Sequence, residues 1–183
     1  MASATSIHPI QARRSRVRQL SVAHAADVAS YWTIIAATYT TFGFLFYYSA
    51  KEKLFDDSGT MPASLAKTFH GSLIASFPGT NTAWLLLGLL EGLVFIVIAA
   101  SLLSGEMLAG RRKPILLSGL GLSMLSFGVM SFAENMVAQF STVAELFGYL
   151  SGTAVLIVLL LLMPPYRPAN WLSSLTQRAE RRA

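Results

Sequence analysis

Glu91 is the residue whose setting most needs a chemical explanation. It is the one formal charge in the apolar run from Ala83 to Leu103, eight positions in from its start, and so about 12 Å deep at about 1.5 Å of rise per residue. A carboxylate at that depth in hydrocarbon must be neutral, paired, or turned toward a wet cavity. Gly88 and Gly92 flank it in a G-x-x-x-G pattern on the same helix face, which lets a neighbouring helix come close beside the carboxylate. Lys51 and Lys53 end the preceding apolar run, Glu134, Asn135 and Gln139 follow the third, and Glu145 precedes the fourth, all in the leaflet that Glu91 faces. His70 lies in the segment between the first and second runs. A cluster of Glu91, one of the two lysines, Glu134 and His70 would suit a polar head group, a quinone or a proton. The other reading is a structural ion pair that locks the first helix against the second. His70 on its own reads as a solvated interfacial histidine.

Other small residues predict close packing without chemistry. Gly148 and Gly152 form a second G-x-x-x-G pair, and Ser118, Gly119, Gly121, Ser123 and Ser126 line the third run. Phe42, Phe44, Phe46, Tyr47 and Tyr48 could line an apolar ligand site, with lipid and helix contact as the commoner use of such rings.

Several chemistries lack their residues. The chain has no cysteine, so disulfides, thiolate metal sites and cysteine nucleophiles are excluded. The histidines, His8, His24 and His70, are too scattered for paired haem ligation within the runs. There is no Walker or dinucleotide glycine loop, and Ser123 and Ser126 have no histidine at their depth to serve as base. No metal, haem or nucleotide cofactor is expected, and catalysis by this chain alone is not expected either.

The elements that must position these residues follow from composition. Hydrophobic residues make up 54% of the chain and charged residues 13%, which leaves too little polar surface for a water-soluble bundle. Tyr31 to Ala50, Ala83 to Leu103, Ile115 to Ala133 and Leu146 to Met163 each approach the roughly 20 residues needed to cross a bilayer. Eleven lysines and arginines (Arg13, Arg14, Arg16, Arg18, Arg111, Arg112, Lys113, Arg167, Arg178, Arg181 and Arg182) fall on one side of these runs, against Lys51, Lys53 and Lys67 on the other. That asymmetry puts both termini in the cytoplasm and assigns the basic charge to orientation in place of nucleic acid. The expected fold is all-α: a polytopic four-transmembrane-helix bundle in the inner (plasma) membrane, with the bilayer as partner and a homo-oligomer as a further option.

Residues 1–30 read as a basic cytoplasmic extension on anionic lipid, with an organellar transit peptide as the alternative. Residues 164–183 read as a basic tail. Tyr31, Trp32, Tyr47, Tyr48, Trp84 and Trp171 mark membrane boundaries. Between Pro62 and Pro78, Leu65, Phe69, Leu73 and Phe77 recur every four positions, which predicts a short outer amphipathic helix over 62–77. The link from Ser104 to Pro114 reads as a short, tight turn.

The first run ends in Tyr48-Ser-Ala-Lys51-Glu-Lys53-Leu54-Phe55, an outer amphipathic segment follows, and the second run contains Leu87-Gly88-Leu-Leu-Glu91-Gly92-Leu. In these features, over residues 38–163, the chain resembles the DoxX-like superfamily of small four-helix membrane proteins. The resemblance implies that Lys51 or Lys53 and Glu91 take the places of the family's recurring lysine turn and second-span glutamate. Gly43 stands well before the lysines, and two lysines stand where the family has one. The resemblance further implies a membrane subunit or accessory protein of a redox or stress-response system, beside a soluble or membrane redox partner and contributing at most a quinone pocket. A small transporter or lipid-handling protein and a purely structural scaffold are the other functional classes.

Overall fold

A computed structural model describes residues 9–162, with side chains from residue 26 onward. The arginines at 13, 14, 16 and 18, His8, His24, Trp171 and the basic tail from 164 therefore lie outside the described side chains. Every regular element among the described residues is helical. α1 runs Pro9–Lys51, a π-helical turn follows at Glu52–Asp56, and two short helices, α2 (Ala63–Thr68) and α3 (Leu73–Ser76), lead into α4 (Thr80–Leu103), α5 (Pro114–Met136) and α6 (Phe140–Leu162).

Three of these helices, α4, α5 and α6, are long and apolar enough to cross a membrane. The expected all-α class is matched, and three of the four expected spans coincide with helices of spanning length and composition; α1 is not among them. Residues 31–50 of α1 differ in composition: Thr33, Thr38, Thr40, Thr41 and four tyrosines interrupt the apolar run. Hydroxyls are tolerated in such a helix when they bond back to the turn before. Thr33 Oγ1 donates to Ala29 O at 2.9 Å and Thr38 Oγ1 to Ile34 O at 2.7 Å.

Residues up to Thr38 and residues from Tyr39 form separate compact units. Within the second, α4 buries Gly88, Glu91, Val94, Ile98 and Ser101, a stripe that recurs every three or four residues. α5 answers with Leu116, Gly119, Leu120, Ser123, Ser126 and Phe127. The two helices approach closely at Gly119, where an added Cβ would lie 2.9 Å from Ile98 Cγ1. Phe46 of α1 packs on Phe127 of α5 at 5.6 Å between ring centroids, and Phe127 on Tyr149 of α6 at 5.6 Å. Of the aromatic run in α1, Phe42 and Phe46 are core, while Phe44, Tyr47 and Tyr48 are exposed.

The segment expected as one amphipathic helix over 62–77 is two short helices instead. Gly71 at φ +81° interrupts it, a conformation that ends an α-helix. The break divides the four-residue stripe, leaving Phe69 buried and Leu73 and Phe77 exposed.

Candidate functional site

Glu91 lies eleven residues into α4, because that helix starts at Thr80, and so about 16 Å along its axis. Trp84, Gly88 and Glu91 recur at intervals of four and three residues and share one face of the helix. Against that face lies the π-helical turn, in which Asp57 N–H donates to Glu52 O and Gly59 N–H to Lys53 O, each at 2.8 Å. Lys51 and Lys53, two residues apart, project to opposite sides, so only one can meet α4.

Gly88 decides how closely they meet. A Cβ there would sit 2.8 Å from Lys53 Cβ and 3.1 Å from Leu54 Cδ2, while Gly92 faces Leu54 and Ala50 at 3.7 and 3.8 Å. With no side chain at Gly88, the stem of Lys53 lies against α4 and its ammonium reaches Glu91, almost a full turn further on. The Nζ to Oε2 distance is 2.9 Å, with the side chains 7% and 2% exposed. Glu91 Oε2 accepts no hydrogen bond among the described residues, so the contact is a close ion pair. Lys53 donates hydrogen bonds to Ser49, to Oγ at 2.7 Å and to the carbonyl oxygen at 3.4 Å. The face of Trp84 covers the ammonium, 4.7 Å from Nζ to the ring centroid, a cation–π contact of the kind that gains strength when desolvated.

The other residues of the expected cluster lie elsewhere. Lys51 is bonded to both carboxylate oxygens of Asp56, at 2.9 and 2.7 Å, on the exposed side of the turn. The hydrogen bond to Asp56 raises the Lys51 ammonium above its ordinary value. His70 is exposed and Glu134 half-buried at the end of α5, and neither joins an ion pair among the described residues. Of the two candidate lysines, Lys53 is the one paired with Glu91, while Lys51 is paired with Asp56. Gly148 and Gly152, expected as packing glycines, have no neighbour within 4 Å of an added Cβ among the described residues. They lie on an exposed face of α6.

A second buried polar centre, at Glu106, was missed in the sequence. Pro114 opens α5 and has no N–H, so the first donors left unmet by the helix are those of Ile115 and Leu116. Glu106 accepts both, Ile115 N–H at Oε1 (3.0 Å) and Leu116 N–H at Oε2 (2.8 Å). Ser101 Oγ adds a third bond to Oε2 at 2.7 Å, and Tyr39 OH lies 2.7 Å from Ser101 Oγ. An anion at a helix N-terminus is favoured by its dipole as well as by the bonds. The available signal was a lone acid in an otherwise basic link, close before a proline that starts a span.

Compared with protein-family models, curated proteins and solved structures, the chain matches none. In the geometry two opposite charges are held together away from water, and a carboxylate staples the link between α4 and α5.

Proposed function

We propose that the chain is a non-catalytic membrane component, a scaffold or accessory subunit, in which Lys53 and Glu91 fix the geometry of the bundle. In this reading α1 is a fourth span, both termini are cytoplasmic, and the membrane is the plasma membrane, as the basic asymmetry suggests. The observation that carries the reading is the closure of the pair. Both side chains are buried, Ser49 and Trp84 occupy the approaches to the ammonium, and the groove along α1 and α4 has neither Glu91 nor Lys53 in its walls. A quinone or proton site needs an opening at the carboxylate. The resemblance to DoxX-like proteins points to a redox or stress-response complex as the setting in which such a subunit works.

Isolation of native complexes in mild detergent tests this, with the parent chain compared to the double variant Lys53→Met/Glu91→Gln. A structural pair predicts that the double variant, once shown to be folded, keeps the same associated proteins and the same cellular phenotype as the parent. A folded double variant that has lost them would assign chemistry to Glu91.

A further inference from the structure

We infer that the groove between α1 and α4 is a binding site for an anionic phospholipid, taking an acyl chain along its length and the head-group phosphate at Arg111 and Arg112. The two helices are tied at both ends of the groove, by Tyr39 OH to Ser101 Oγ at 2.7 Å and by the Tyr47 and Phe95 rings at 5.3 Å. Between these ties stands Gly43, where an added Cβ meets nothing within 4 Å. The result is a slot of about 450 Å³ walled by Tyr39, Thr40, Gly43, Phe44, Phe95 and Leu102. From Phe95 to Leu102 it runs about 10 Å along the helix. The walls are almost wholly apolar and the slot is open to the side, which suits a hydrocarbon chain entering from the bilayer.

Charge selects the head group. Leu102, at one end of the slot, lies two residues from Ser104, whose carbonyl accepts a bond from Arg111 Nη1 at 3.3 Å. That bond uses one of five guanidinium N–H donors, and Arg111 and Arg112 are both exposed. An apolar slot whose end lies two residues from the carbonyl held by Arg111, with the exposed Arg112 next to Arg111 in the chain, is complementary to a lipid with a phosphate and no compensating cation. The inference does not depend on the role of Lys53 and Glu91, which lie outside the groove.

Lipid binding to the full chain in neutral detergent tests it, by native mass spectrometry and thermal shift, with phosphatidylglycerol and phosphatidylcholine carrying the same acyl chains. Phosphatidylglycerol should bind in preference and raise the melting temperature. Each of Arg111→Gln and Arg112→Gln should weaken it about fivefold, the worth of one basic residue near an anionic lipid surface. Gly43→Leu should block the slot and abolish the preference, and Thr40→Leu provides the same test if Gly43→Leu does not fold. Equal binding of both lipids, or an unchanged preference in the arginine variants, would overturn the head-group assignment. Full binding in the folded slot variants would overturn the acyl-chain assignment.

Discussion

At Lys53 and Glu91 the cost of burial and the attraction of opposite charge nearly offset each other. Two ions removed from water lose hydration that their mutual attraction only just restores, so the pair is a poor source of net stability but a strong constraint on geometry. Lys51, two residues away and exposed, forms its bond with Asp56 in water, where ion pairs contribute little. Lys51→Met should leave the melting temperature close to that of the parent, whereas Lys53→Met should lower it markedly. The raised Lys51 value has a definite sign: its bond favours the fold at all pH below the ordinary lysine pKa and is lost only as pH rises through the higher folded value, so stability does not vary with pH through this group near neutrality. Glu91 was legible in the sequence as a lone acid in an apolar run. The choice between the lysines was not, because it depends on which side of the turn meets Gly88. Glu106 makes its own prediction. In Glu106→Gln, the amide NH2 must face a backbone N–H or Ser101 that the carboxylate oxygen had accepted, and the loss should be about 1–3 kcal/mol in thermal unfolding.

Glycines that look alike in sequence act differently once the helices are placed. Gly88 lies under Lys53 and Leu54 with no room for a Cβ, so Gly88→Leu should separate α4 from the turn and destabilise by about 1–3 kcal/mol or more. Gly152 has open space among the described residues, and Gly152→Leu should leave the melting temperature of the monomer near that of the parent. Equal losses at the two positions, measured in the same detergent, would contradict this division. The G-x-x-x-G spacing reports that a close approach is allowed, and only the neighbouring element decides whether it is used. The outer segment teaches the same point. Its four-residue spacing is helical, yet Gly71 breaks it, and glycine in a helix pattern is ambiguous until its φ is known.

The all-α class and three of the spans were legible because long uncharged runs have few alternatives. Residues 31–50 are less clear-cut, since their threonines and tyrosines weaken the apolar signal, and Thr33 and Thr38 satisfy their hydroxyls one turn back. The proposed crossing of α1 has a direct consequence for topology. In this cysteine-free chain, cysteines at the exposed positions Ser64 and Ala109 avoid the positive-φ glycines Gly59 and Gly110, and they should label from opposite sides of intact cells, Ser64 from outside. Labelling of both from the same side would remove the assigned orientation. The Lys53–Glu91 contact joins the turn after α1 to α4, and a double-mutant cycle tests it most directly. Thermal unfolding of Lys53→Met, Glu91→Gln and the double variant in one detergent should show single losses of about 3–5 kcal/mol each, with a double loss far below their sum. Strictly additive losses would contradict the ion pair as the lock of the bundle.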